Sequence, residues 1–148
     1  MNLVVAVDGS DESERALAYA VDVVDRLDGR LTLAHVVDPD LTVDTASEPI
    51  SDLPDAANLL VSTVEEAEDR GAAVLEEAAD VAADRGVDAE TELLYGDPVT
   101  EIADLAKGAD VDGVVVGHRG LSGKAERMMG SVAKGLVERA PVAVTVVP

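Results

Sequence analysis

Gly117, Gly120, Gly130 and Ser131, in the run VVVGHRGLSGKAERMMGSV, fall where a strand gives way to a helix. Gly113 to Gly117, with Val114, Val115 and Val116 between them, reads as a buried parallel strand, and Val132 to Arg139 has helical periodicity. Gly130 and Ser131 therefore open a helix. A helix start presents unpaired N–H groups and the positive end of a dipole, and glycine removes the Cβ that would hold an anion off the backbone. The chemistry this spacing offers is the holding of a phosphate. The competing reading is that these are ordinary turn and cap residues in a polar loop.

The spacing excludes the commonest nucleotide motifs. Lys124 follows Gly123 as in a P-loop, but His118 stands where that motif needs its first glycine, and Ala125 where it needs Ser or Thr. No glycines fall at the G-x-G-x-x-G spacing of a dinucleotide fingerprint. What remains is G-x2-G-x9-G-S. That pattern resembles the ATP-binding branch of the universal stress protein family, and the resemblance runs from VAVDGS near the start to PVAVTVVP at the end.

Several elements must position this loop. Leu3 to Val7 form a first strand, apolar throughout as befits a strand covered on both faces. Ser10 reads as an N-cap with Asp11, Glu12 and Glu14 in the first helical turn; Leu17, Val21, Val24 and Leu27 recur at helical spacing, and Gly29 ends the helix. Leu31 to Val37 form a second strand. Asp38 to Asp55, with Pro39, Pro49 and Pro54, reads as a long loop, either a lid or a variable insertion. A long helix follows with Leu60, Val64, Ala67, Gly71, Val74 or Leu75, Ala78 and Val81 on one stripe, stopped by Gly86. Ala89 to Tyr95 form a third strand. Asp97 and Pro98 start a short helix with Val99, Ile102, Ala103 and Ala106 inward, and Val142 to Val147 form the last strand. Tyr19 and Tyr95 read as packing groups of a helix and a strand.

Alternation of strands and helices predicts an α/β fold over residues 1–148 as a single domain: an open five-stranded parallel sheet, order 3-2-1-4-5, with four helices on its two faces. Right-handed crossovers that reverse direction after the first strand place a crevice between strands one and four. Asp8 ends strand one and the glycine loop follows strand four, so both reach that crevice by topology alone. The family resemblance implies the same Rossmann-like architecture, similar to adenine nucleotide alpha hydrolases.

Composition narrows the partners. The 148-residue chain carries 31 acidic and 11 basic residues, a formal charge of -20, and contains no Cys, Phe or Trp. No basic stripe exists to displace the counterions of a nucleic acid. A dense carboxylate surface stays hydrated in concentrated salt and repels itself when salt is removed, the pattern of a halophile's cytoplasmic protein. Absence of cysteine removes disulfides, thiol nucleophiles and Cys-type zinc sites. The start, MNLVVAVDGSDE, has no basic region and only a short apolar run, so it reads as a strand rather than a signal peptide, and no stretch is long and apolar enough to span a membrane. Ser122 lacks the G-x-S-x-G frame, and with two histidines there is little material for a Ser/His/Asp site. The pairs Asp38/Asp40 and Asp110/Asp112 are what chance supplies in so acidic a chain.

Carried over by position, the resemblance implies that Ala6 offers a backbone carbonyl near a ribose and Asp8 lies beside the nucleotide. It implies that the Val36 main chain reads the adenine edge and that Val116 and Gly117 flank the ribose. Arg119, Gly120, Gly130, Ser131 and Val132 would surround a triphosphate. Many relatives have proline at the Ala6 position, a change that a main-chain contact survives. The cofactor implied is ATP, with Mg2+ or Mn2+ held mainly by phosphates and water. The partner implied is a second copy of the chain, paired through the strand Val142 to Val147, which carries no charge. The resemblance points to a nucleotide-responsive stress or regulatory module, and the acidic composition to the cytoplasm of a halophilic archaeon. The alternatives are a slow ATPase or adenylate-handling enzyme on the same site, or an interaction domain that binds no nucleotide. Taken singly, Asp8 is equally a turn residue, Val36 core, Arg119 a solvated charge, His35 a hydrogen-bonded core histidine, and His118 a loop residue facing solvent or phosphate.

Overall fold

In the computed structural model, which describes residues 1–39, 56–119 and 129–148, five parallel strands form one sheet in the order β3-β2-β1-β4-β5. The strands are β1 Asn2–Ala6, β2 Arg30–Val37, β3 Ala89–Tyr95, β4 Gly113–Gly117 and β5 Ala143–Val147. The helices are α1 Asp11–Leu27, α2 Ala56–Asp84, α3 Pro98–Leu105 and α4 Ser131–Arg139. Most of the expected long loop Asp38 to Asp55, the residues 120–128 that include Gly120, and the Leu60 side chain lie outside the described residues.

Two cores flank the sheet because neighbouring strand residues point to opposite faces. On one face Leu3, Val5, Val7, Leu31, Leu33 and Val115 meet Leu17, Val21 and Val24 of α1 and Leu75, Ala78 and Ala82 of α2. On the other, Val4, Ala34, Val114 and Val116 meet Ile102 and Ala106 from the α3 end and Ala133 and Leu136 of α4. Each fully buried Val or Leu contributes about 1.5–3 kcal/mol relative to exposure. The central strands β1 and β4 can thus be almost wholly apolar, and all five residues of β4 are buried.

Caps fix the helices. Ser10 accepts from the Ser13 N–H at the start of α1, and Asp97 accepts from the Thr100 N–H at 3.0 Å at the start of α3, just before Pro98. These hydrogen bonds to Thr100 hold the Asp97 carboxyl below the usual aspartate range, with the Arg139 charge adding to the effect.

Three expectations need correction. The left-handed residue closing α1 is Asp28, at φ 50°, whereas Gly29 is demanded by the Met1 carbonyl oxygen, which a Cβ there would strike. Val81 is 43% exposed and Ala82 is the inward residue, because α2 after Ala78 keeps a step of four toward the sheet. Tyr19 and Tyr95 are not packed away but exposed. Tyr95 sits at the β3 edge beside Glu68; partial desolvation, then the carboxylate's charge and hydrogen bond, raise its phenol above the ordinary value.

Candidate functional site

The C-terminal ends of β1 and β4 separate where their onward connections leave toward opposite faces, and a cavity of about 830 Å³ opens there. Ala6, Asp8, Val36, Val116, Gly117, Arg119, Gly130, Ser131 and Val132 all line it. Every residue that the resemblance places at the nucleotide thus lines one crevice except Gly120, which lies outside the described residues. The volume lies within the range of small-molecule and cofactor pockets, roughly 300–1,000 Å³.

The phosphate end of the argument rests on how α4 begins. The chain leaves β4 at His118, whose N–H donates to the Val147 carbonyl at 2.7 Å, and returns at Gly130, whose N–H donates to the His118 carbonyl at 2.8 Å. His118 is therefore a backbone tie rather than a crevice-lining side chain. Gly130 is the N-cap and provides no side-chain hydrogen bond, and the first bond back into the helix runs from Lys134 N–H to the Gly130 carbonyl. The N–H groups of Ser131, Val132 and Ala133 precede that bond and stand at the positive end of the helix, beside the crevice they help to line. Such donors suit an anion.

The two glycines are small for different reasons. A Cβ on Gly130 would lie 3.2 Å from Arg119 Cα and 3.3 Å from the His118 carbonyl oxygen, so the loop's two ends approach closely there. A Cβ on Gly117 would lie 2.8 Å from the carbonyl carbon of Glu12. Gly117 lines the crevice, and the first turn of α1 also requires that it carry no Cβ.

Asp8 combines both readings made of it. Its Oδ1 accepts from the Ser10 N–H at 2.9 Å and from the Ser10 hydroxyl, the local turn bond that aspartate favours, and its own N–H donates to Ser13 Oγ at 3.1 Å. The same residue lines the cavity. The apolar wall comes from Ala6, Ala34, Val36, Val116 and Ile102, suited to a flat, weakly polar ring system.

Sequence reasoning missed what α2 contributes. Ala67, Arg70, Val74 and Glu77 line the cavity from that helix, and their spacing of three and four residues was the available signal. Arg70 and Arg119 are the cavity-lining Lys or Arg residues among the described residues, while Asp8, Asp38 and Glu77 supply negative charge. Among the described residues no cluster of three His, Asp or Glu is arranged to hold a metal.

The sequence model of the Universal stress protein family matches residues 1–148. The chain belongs to that family. Universal stress protein YxiE of Bacillus subtilis (strain 168) is 36% identical over 131 residues, covering 88% of this chain and 87% of the relative. Among solved structures, universal stress protein UspA from Lactobacillus plantarum superimposes with a TM-score of 0.75 at 29% identity, over 100% of this chain and 97% of that one. A universal stress protein in complex with cAMP superimposes with a TM-score of 0.71 at 31% identity, over 100% and 97% of the two chains. Among the described residues no helix is long and apolar enough to cross a membrane.

Proposed function

We propose that this universal stress protein binds ATP in the crevice between β1 and β4 and acts as a nucleotide-responsive stress or regulatory module. The observation that carries the reading is the start of α4, where the N-cap Gly130 supplies no side-chain hydrogen bond and three helix N–H groups lie beside a cavity of nucleotide size. The relative solved with cAMP adds support, since it shares fold and sequence over the whole chain. In this reading Gly130, Ser131, Val132 and Arg119, with Gly120, hold the triphosphate; Ala6, Asp8, Val116 and Gly117 surround the ribose; and the Val36 main chain meets the adenine. Mg2+ enters with the phosphates and is held mainly by them and by water. The setting proposed is the cytoplasm of a halophilic archaeon, which the charge of -20 supports, and the assembly is a homodimer through β5.

Gly130→Asp tests the phosphate assignment. The φ of -65° and ψ of 159° at Gly130 are ordinary for an L-residue, and aspartate is a favoured N-cap. Its carboxylate would take the N–H groups offered to phosphate and repel the nucleotide. The variant is expected to keep a native circular dichroism spectrum and to lose ATP binding by calorimetry. ATP affinity unchanged in the folded variant overturns the assignment.

A further inference from the structure

The β1–β2 ladder stops at its crevice end where a side chain meets the carbonyl that the next bond would use. The Val7 N–H donates to the Ala34 carbonyl at 2.9 Å, and the Gly96 N–H donates to the Val37 carbonyl at 3.0 Å. Even-numbered residues at this end of β2 therefore turn their backbone groups toward β1, and odd-numbered ones toward β3. The next bond of a parallel ladder would run from the Val36 N–H to the Val7 carbonyl. Pairing of β1 with β2 stops instead at Ala6 and Ala34, although β2 goes on pairing with β3 as far as Val37 and Tyr95. His35 Nδ1 lies 2.7 Å from the Val7 carbonyl. A carbonyl only accepts, so Nδ1 carries the proton and donates. The far edge of the ring is backed by α2, where a Cβ on Gly71 would lie 2.6 Å from His35 Cδ2. Strand end and helix thus hold the imidazole between them.

We propose, resting on the nucleotide reading above, that His35 is a positioning residue for base recognition. By drawing the Val7 carbonyl toward its own Nδ1, out of line with the Val36 N–H, it ends the ladder one bond early. The Val36 N–H and carbonyl then face the crevice as an adjacent donor and acceptor. Adenine presents the matching pair, an amino group that donates to the carbonyl and a ring nitrogen that accepts from the N–H. A 6-oxo purine presents the reverse at both atoms. His35 thereby selects 6-amino over 6-oxo purines without touching the base.

Two variants of the full chain, His35→Leu and His35→Asn, separate this role from simple packing. Leucine removes the donor, whereas asparagine keeps an N–H near the Nδ1 position. Amide exchange of ligand-free protein gives a readout independent of any nucleotide. The Val36 amide is expected to exchange freely in the parent and in His35→Asn, and to slow by about tenfold or more in His35→Leu as it closes onto Val7. In calorimetry with ATP and ITP, the preference for ATP is expected to fall by about tenfold in His35→Leu and to survive in His35→Asn. Nitrogen shifts of the parent imidazole are expected to show the Nδ1–H tautomer, a measurement that needs no variant. An Nε2–H tautomer, or a Val36 amide already protected in the parent, overturns the proposal even if ATP binds tightly. The expected amide behaviour in a chain that binds neither nucleotide would support control of the strand end by His35 and overturn both its role in base recognition and the nucleotide reading.

Discussion

Gly117→Ala is a sharp test of what the glycines at the crevice are for. A methyl group there would lie 2.8 Å from the Glu12 carbonyl carbon, 2.9 Å from its carbonyl oxygen and 2.9 Å from its Cβ. Two of those atoms are backbone, so no rotamer change at Glu12 relieves the overlap. The first turn of α1 must instead move away from β4. That turn is fixed by the Ser10 cap and by the bond from Asp8 N–H to Ser13 Oγ, and it sits over the buried Val115. Overpacking of this kind costs about 1–3 kcal/mol. For a chain of this length each kcal/mol lowers the thermal midpoint by roughly 2–4 °C, so the expected loss is roughly 2–12 °C. The assay is thermal unfolding in molar KCl with nucleotide removed. A variant with the parent's midpoint, but with impaired nucleotide binding, would refute the packing argument and return Gly117 to the ligand.

Three further outcomes follow from the same physics. Asp97→Ala should destabilise the chain by about 1 kcal/mol at neutral pH through loss of the α3 cap, measured by urea unfolding. Because the folded-state pKa of Asp97 is lowered, its contribution is present above the unfolded aspartate value near 3.9 and is lost as pH falls through the folded one, so parent and variant should converge in acid. With 31 carboxylates and 11 cations, the parent's midpoint should rise from dilute buffer, where the Debye length is about 30 Å at 0.01 M, to molar KCl, where it is about 3 Å; a flat profile would refute the halophilic reading. Sedimentation in molar salt should give a dimer that weakens as salt is lowered, and a natively folded monomer there would refute pairing through β5.

The sheet was legible because its causes are local. Leu3 to Val5 and Val114 to Val116 are apolar without interruption, which only a strand covered on both faces requires, and Gly86 and the Asp97-Pro98 pair punctuate the helices where they end and begin. Strand order followed from alternation and handedness, and the order placed Asp8 and the glycine loop at one crevice. What stayed hidden depends on distances between elements remote in sequence. Gly117 looks like a ligand glycine until Glu12 is seen against it, and Gly29 looks like a helix stop until the Met1 carbonyl is. Arg70 reads as one more surface charge on an acidic helix, since only the packing of α2 beside the crevice brings this exposed residue to the cavity. His35 was read as a hydrogen-bonded histidine, but its partner, the Val7 carbonyl, is 28 residues away.

The tie between Gly130 and His118 bears on where the chain should tolerate an insertion. Among the described residues, a 2.8 Å hydrogen bond from the Gly130 N–H to the His118 carbonyl joins the two ends of the excursion and locates the start of α4. Lengthening a closed loop is inexpensive, about 0.6 kcal/mol for each doubling. A reporter peptide inserted between Gly120 and Gly130, clear of the residues proposed to hold the phosphates, is therefore expected to leave the anion-facing end of α4 in its place.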